Sequence, residues 1–498
     1  MVGMTSAKLP FSPVSNSDTT VVVGTGLAGL TTALQLLERG HKVVLLEKTA
    51  KLGGNSIKAS SGINGVPTVF QGSDSNDSIA SFVEDTLASG KGLCNEDLVH
   101  LLASNSKDAI HWLTSEDHMN VDLSSVSRLG GHSHARTHRG NSKLPPGFAI
   151  ISALSKKLDA HNSLLTLIKN ARLDKIVLDN KFHVGSIEYI DESNVRTSLK
   201  ADNFVLATGG ISADFDESSN SLLKKYRPDL LSFPSTNGQQ TTGDGQKIAE
   251  RDVDAKLIHM DHIQVHPTGF VKLDSVSDKW KFLCGEVIRG IGGILLCPST
   301  GNRFTNELST RDVVTNAIID NCKVPKTNKL GIKPEQAVSV VVVNGEDYLK
   351  AKDHINFYVS QNLLRKGTVA DLLMLLKELN PDLHLSVDNI VAYFEDYNGK
   401  IISNNDPLGR AHFGSNFDLG DDLYFGLTTP VLHFSMGGIE INTDGQVTTK
   451  DNSVVDNLYA AGEVSGGVHG GNRLGGSSLL ECVVFGKVIS DSIHKRST

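Results

Sequence analysis

Several protein classes are excluded by what this chain lacks. Its five cysteines in 498 residues (Cys94, Cys284, Cys297, Cys322 and Cys482) form no C-x-x-C or C-x-x-C-H. That removes the iron–sulfur, zinc-ribbon and c-haem motifs, and no metal site is expected. There is no excess of positive charge: 48 Lys and Arg stand against 56 Asp and Glu, a formal net charge of -8. A nucleic-acid partner is therefore not expected. No apolar run approaches the ~20 residues needed to cross a bilayer, so no membrane partner is expected either. Residues 1–18 hold one lysine and no apolar stretch. They read as a flexible tail rather than a secretory leader. An odd cysteine count without a leader points to a reducing compartment, the cytoplasm, with the mitochondrion as the alternative. Internal repeats and low-complexity linkers are absent as well.

What remains is a globular composition, 39% hydrophobic and 21% charged. The length suits about two to four domains at ~150 residues each. Near the N-terminus, the apolar run Thr20–Val23 leads into Gly24-Thr25-Gly26-Leu27-Ala28-Gly29 and a helical pattern to Leu37. A second strand, Val43–Leu46, then ends on Glu47. A glycine fingerprint between strand and helix, with an acid roughly 20 residues on, is the setting a dinucleotide site requires. Gly24 permits the tight turn, Gly26 lets the backbone approach a pyrophosphate, and Gly29 packs the helix on the sheet. Glu47 is placed to accept hydrogen bonds from the ribose.

Two later segments, Asn203–Gly210 and Leu458–Glu463, are short apolar strands ending in small residues. Such strands fit a buried parallel sheet whose carboxyl ends approach a ligand. Between them lies a β-rich run, Ala337–Val343, and helical patterns around Ala370–Leu379 and Val387–Tyr397. The expected fold is α/β: a Rossmann-like nucleotide domain, residues 19–255 and 431–498, with an inserted α+β capping domain at 256–430.

Further loops carry chemistry. In Gly53–Gly65, consecutive glycines admit a flat ligand, while Asn55, Ser56, Ser60 and Ser61 offer donors without bulk. A flavin needs such an edge; a nicotinamide dehydrogenase does not. Near the C-terminus, Gly475-Gly476-Ser477-Ser478 opens a helix whose positive end can stabilise negative charge. Arg473 precedes it, with the planar fork suited to a carboxylate. The cap adds His266 before a rigid Pro267 turn, Glu286 and Arg289 three apart on one helical face, and Arg311. His433 lies where the chain returns. Three arginines and two histidines beside a flavin fold are the inventory for a dianionic acid. The loop Gly131–Arg139, rich in His and Arg, reads as a flavin-domain loop with structural hydrogen bonds rather than a metal or donor site.

With these pieces, the chain resembles the soluble yeast-type fumarate reductases of the fumarate reductase/succinate dehydrogenase flavoprotein family. The most specific segments are Gly53–Gly65, Leu129–Ser133, Leu144–Phe148, Thr236–Gly245, His266–Phe270, Trp280–Gly293 and Gly462–Gly486. The resemblance implies FAD, bound non-covalently since Gly53–Gly65 holds no flavin-linking histidine, and reduction of fumarate to succinate. The implied cofactor residues are Gly24, Gly26, Leu27, Ala28, Gly29, Glu47 and Lys48; Gly54, Asn55, Ser56, Ser60, Ser61, Gly62, Asn64 and Gly65; Thr208, Gly209, Gly210 and Asp244; and Glu463, Arg473, Ser478 and Leu479. His266, His433 and Arg473 look like carboxylate ligands, and Arg311 like the proton donor. Glu286 and Arg289 look like the relay behind it. Bacterial members have threonine before the relay glutamate, where this chain has Gly285, and carry haem domains for which no motif is present. The implied electron donor is NADH or a free reduced flavin. An L-aspartate oxidase, a urocanate- or ketosteroid-type enzyme, or a silent FAD-binding redox protein stand as alternatives. The oligomeric state is left open.

Overall fold

The structure, a computed structural model, describes residues 18–141, 144–216 and 218–498. Apart from Asp18, the expected tail lies outside the described residues. The chain opens with β1 (Thr19–Val23), α1 (Leu27–Leu37) and β2 (Lys42–Leu46). It rejoins that sheet as β3 (Leu165–Ile168) and β4 (Asn203–Leu206). It then leaves for β5 (Ile263–Phe270), β6 (Ile294–Leu296), α2 (Arg311–Asn321), β7 (Ser339–Val343) and β8 (Leu423–Ser435). It finishes with β9 (Gln446–Thr448), β10 (Val454–Ala460) and α3 (Ser477–Ser497).

Among the described residues, the first sheet has the order β9-β10-β4-β1-β2-β3. All its neighbours pair in parallel except the β9–β10 edge. Val21 sits between Val44 and Phe204 in register. Strands covered on both faces need no polar alternation, which is why Val21-Val22-Val23 is an unbroken and buried run. Every residue of α1 is buried, as befits a helix apolar on all sides, and it packs against α3. The contact is close: a Cβ on Gly486 of α3 would come within 3.0 Å of Thr31.

The inserted layer is built on an antiparallel sheet, β5-β8-β7-β6, with Arg365–Gly367 pairing the start of β8. Successive strand side chains point to opposite faces. Val340 and Val342 accordingly join one apolar cluster with Leu372, Leu376 and Phe394. Val341 and Val343 join another with Val314 and Ile318 of α2. The architecture is thus the expected one, a Rossmann-like sheet with an α+β layer inserted between β4 and β9. The two crossings are tied together: Leu257–Ile258 pairs antiparallel with Gly438–Glu440, which runs parallel to Ser465–Gly466. Gly437 allows this closeness, since a Cβ there would lie 2.1 Å from His259 O.

One local expectation differs and a second is met in altered form. His266 lies within β5, at a register shift between His266 and Gly269, rather than before a turn. Pro267 has no N–H to pair, so the ladder bulges instead of ending. The helix at Glu286–Arg289 is a single turn, Val287–Gly290, with Glu286 at its N-cap; the expected i,i+3 pair does form, as an ion pair at 4.0 Å without a hydrogen bond.

Candidate active site

A cavity of ≈ 1110 Å³ runs along the carboxyl ends of β1, β4 and β10 and reaches the inserted layer. Gly24, Gly26, Leu27, Ala28, Glu47 and Lys48 line it near β1 and β2. Gly54, Asn55, Ser56, Ser60, Ser61 and Gly62 follow, with Thr208, Gly209 and Asp244. Glu463, Ser478 and Leu479 line it near α3, and Arg311, His433 and Arg473 at the far end. Gly29, Asn64, Gly65, Gly210, His266, Glu286 and Arg289 stand behind this wall.

The wall fits a dinucleotide. Gly24 (φ +104°) and Gly29 are glycine for the protein's own packing, since a Cβ would fall 2.3 Å from Ala207 O and 2.0 Å from Gly24 O respectively. Gly26 is different. Its backbone is ordinary, φ -65° and ψ 178°, and the nearest atom to an added Cβ is Ser56 Oγ at 3.7 Å. Only a ligand approaching the backbone calls for glycine there. Gly26 and Gly476 begin α1 and α3 with no side chain of their own to cap them. Leu27 N–H donates to Ser56 Oγ and Ser477 N–H to Leu474 O, and the other N–H groups of both first turns are available to an anion. Thr208 Oγ1 is buried at this wall without a partner.

The neighbouring polar groups mostly brace the wall. Glu47 accepts four hydrogen bonds, from the N–H and hydroxyl of Thr25 and of Thr49. A ribose would share oxygens already engaged. Lys48 reaches Asp244 at 2.9 Å. Asn55 grips Asn237, Thr241 and Gly238 N. Asn64 donates to Gly475 O and Ser477 Oγ and thereby fixes the start of α3. A Cβ on Gly65 would strike Ile110, and one on Gly210 would strike Glu463.

At the far end, Arg311 is the first residue of α2. Its Nε donates to Glu286 Oε2 at 2.8 Å, its Nη2 lies 2.7 Å from the same oxygen, and its Nη1 donates to Gln264 Oε1 at 2.7 Å. Gln264 in turn donates to Arg473 O. Arg473 lies over the Phe434 ring at 4.3 Å, and its Nε has no partner. Burial pushes its pKa down to about 9, with Arg311 adding to the effect. Burial works to raise the Glu286 pKa, but Arg311 and Arg289 outweigh it and hold the carboxyl at about 2. Gly130 N–H donates to its other oxygen. His266 and His433 sit with ring centroids 5.1 Å apart. Burial, then Arg311, keeps both well below the usual histidine range. Both imidazoles are therefore neutral. His266 Nδ1 accepts from Thr268 N–H, which leaves the proton on Nε2, a buried atom with no partner. His433 Nδ1 lies 2.8 Å from Thr236 Oγ1.

Arg289 is anchored from behind. Its Nη1 donates to Glu307 O, while its Nε and Nη2 are buried without partners. Glu307 belongs to a buried network with Arg303, Arg410 and Asp406, and Arg410 also donates to Arg289 O. Two cations and two anions there cancel. Among Arg289, Arg311, Arg473 and Glu286 the guanidiniums outnumber the carboxylate by two; Glu463, which burial pushes up to about 7, and Glu481, beside His469, are further buried carboxylates that act on Arg473.

Sequence reasoning missed Gln264, which joins the two arginines. Its position two residues before His266 on one strand was the available signal. Arg303, Asp406 and Arg410 lie too far apart in sequence to be grouped from it. The loop Gly131–Arg139 is structural: Arg136 is fully buried between Asp77 and Asp85, His132 meets Gly475 O, and His138 meets Thr68.

Residues 19–479 match the FAD binding domain family. The chain is 44% identical to fumarate reductase 1 of Saccharomyces cerevisiae, over 95% of this chain and 98% of that one. It is 36% identical to the fumarate reductase of Schizosaccharomyces pombe, over 97% and 94%. Among solved structures, the open conformation of a flavocytochrome c3 fumarate reductase superposes with a TM-score of 0.72 at 30% identity, over 97% of this chain and 79% of that one. The ligand-shaped glycine at 26, the two helix starts that begin on glycine and these similarities agree: the chain belongs to the FAD-binding family of fumarate reductase and succinate dehydrogenase flavoproteins.

Proposed function

We propose that this protein reduces fumarate to succinate, with FAD held non-covalently and residues 256–430 acting as the cap over it. One observation carries the reading: at the end of the FAD cavity two buried guanidiniums, Arg289 and Arg311, pair with one carboxylate, Glu286, and a third, Arg473, lies buried with no ion pair among the described residues. Such an excess of guanidiniums in a desolvated site is costly unless a dianion fills it. The relatives named for fumarate reduction support the same substrate.

FAD, when bound, supplies hydride to one alkene carbon. The chain's residues do the rest. Arg473 presents its fork to a carboxylate, and His433 and the Nε2–H of His266 add hydrogen bonds that draw electron density from the double bond. Arg311 holds the proton for the other carbon on a terminal nitrogen. Arginine is a poor acid, but the carbon it serves becomes far more basic as hydride adds. Glu286, ionised and 2.7 Å from Nη2, returns a proton to Arg311, with Arg289 steadying the carboxylate. NADH or a free reduced flavin is the electron donor in this reading, as the resemblance to the yeast-type fumarate reductases implies.

The purified protein should be yellow, and acid precipitation should release FAD into the supernatant. Fumarate should then reoxidise a reduced dye in its presence. A pellet that stays yellow removes the non-covalent clause, and a dye untouched by fumarate removes the activity.

A further inference from the structure

Gly285 has no side chain with which to meet a substrate, and the structure shows what fills the space beside it. A Cβ on Gly285 would lie 2.7 Å from Ser60 Oγ, 3.4 Å from Tyr358 Oη and 3.6 Å from His354 Cε1. Gly285, Leu283 and Tyr358 form a tight knot. Gly285 N–H donates to Tyr358 Oη at 3.1 Å, Tyr358 donates to Leu283 O at 3.0 Å, and His354 Nε2 stands 2.7 Å from the same hydroxyl. Burial pushes His354 down to about 4, so the ring is neutral there. Ser60 Oγ, beside this knot, is buried and makes no well-formed hydrogen bond; its polar neighbour is the Tyr358 hydroxyl, which already takes Gly285 N–H and faces His354 Nε2. Ser60, Tyr358, Leu283 and His354 all line the cavity. The next residue, Ser61, accepts from Glu286 N–H, so Ser60 stands one residue from the contact that holds the Glu286–Arg311 pair.

We infer that the Ser60 hydroxyl donates a hydrogen bond to a carboxylate of the dicarboxylate substrate, and that Tyr358 and His354 are positioning residues that keep Gly285 clear of it. The assignment rests on the fumarate reading above. A buried hydroxyl whose one polar neighbour is already engaged by three other groups is poorly satisfied, which is costly, and an anion arriving at this wall satisfies it. Arg473, Arg311 and the two histidines supply the charged and imidazole donors; Ser60 supplies a neutral one from the FAD-loop side. The geometry also ties the two positions together: a Cβ at 285 would press on the Ser60 hydroxyl where it now stands, so a side chain at 285 turns that hydroxyl away from its present place.

The test uses FAD-loaded protein and two readouts, fumarate kinetics with a reduced dye and the succinate affinity read from the visible spectrum of bound FAD. Ser60→Ala should keep its FAD content and weaken both succinate binding and the KM for fumarate by about ten- to a hundredfold, as for one hydrogen bond to a charged group. Gly285→Thr alone should be impaired by its collision with Ser60. Ser60→Ala combined with Gly285→Thr should recover most of the lost affinity, because the threonine hydroxyl takes the vacated place. A purely structural role for Ser60 gives no such recovery. If wild-type protein neither binds succinate nor reduces fumarate, the fumarate reading itself fails. If wild type does both and Ser60→Ala matches it, or the double variant stays as weak as Ser60→Ala with FAD retained, the assignment of Ser60 alone is overturned.

Discussion

Arg311 is the residue on which the chemistry turns, and its surroundings say how a substitution should behave. Its guanidinium reaches two partners on different elements, Glu286 and Gln264, at 2.8 and 2.7 Å. A lysine ammonium is a point charge and cannot hold both directions at once. Arg311→Lys and Arg311→Ala should therefore both lose most turnover, on the order of 100- to 10,000-fold for a lost general acid, with FAD content near wild type. Arg473→Lys should instead raise the KM for fumarate, since Arg473 lacks a carboxylate partner of its own among the described residues and contributes a fork. Glu286→Gln should fall between them: the proton donor stays, but the group that resupplies it no longer accepts a proton. Saturating fumarate with a chemically reduced dye isolates these steps from the donor. An Arg311→Ala protein that binds FAD and keeps more than about a tenth of its turnover lies outside the general-acid range and would exclude Arg311 as the acid.

At the scale of the element, the turn between β1 and α1 separates glycines that serve the fold from one that serves the ligand. The sequence fingerprint gives its three glycines separate tasks: the tight turn at Gly24, close approach of a ligand at Gly26 and helix packing at Gly29. The structure gives the steric basis, because a Cβ at Gly24 runs into Ala207 O just past β4 and one at Gly29 into Gly24 O, while one at Gly26 meets nothing closer than 3.7 Å. Gly24→Ala and Gly29→Ala should lower the melting temperature of the apoprotein and reduce soluble yield. Gly26→Ala should melt like wild type without FAD, yet fail to gain the stability that FAD gives wild type. Thermal unfolding with and without added FAD distinguishes the three, and a Gly26→Ala protein stabilised by FAD as fully as wild type would refute the cradle. The strand–helix–strand elements were legible in sequence because each is an apolar run with a clear stop, Gly24 after β1, Glu38-Arg39-Gly40 after α1 and Glu47 after β2. The bulge at His266 was not, because it arises from how β5 registers against β8, a partner about 160 positions away.

Over the whole molecule, the same division governs what could be read in advance. The nucleotide sheet, the inserted layer and most of the charged site residues were visible as local patterns. The Arg303–Glu307–Asp406–Arg410 network, the Gln264 bridge and the Ser60–Tyr358–His354 contact were not. The first is assembled within the inserted layer from segments about a hundred residues apart, the other two form where that layer closes on the FAD sheet, and no spacing within one segment announces any of them. That closure brings Arg311 and His433 from the inserted layer together with Arg473 beside α3, and it makes the charge surplus a property of the assembled molecule rather than of any one motif. Substrate charge is then the decisive variable. Fumarate, monomethyl fumarate and dimethyl fumarate have the same double bond and nearly the same shape, but carry two, one and no negative charges. Each ester removes charge-assisted hydrogen bonds worth about 1.5–3 kcal/mol apiece, and leaves one of the surplus cations without its counter-charge. The ratio kcat/KM should therefore fall in two steps along the series, each at least about tenfold by that measure. The esters are intrinsically easier to reduce, so chemistry alone would order the three the other way. Comparable turnover of fumarate and dimethyl fumarate would mean that the arginines serve the fold rather than the substrate.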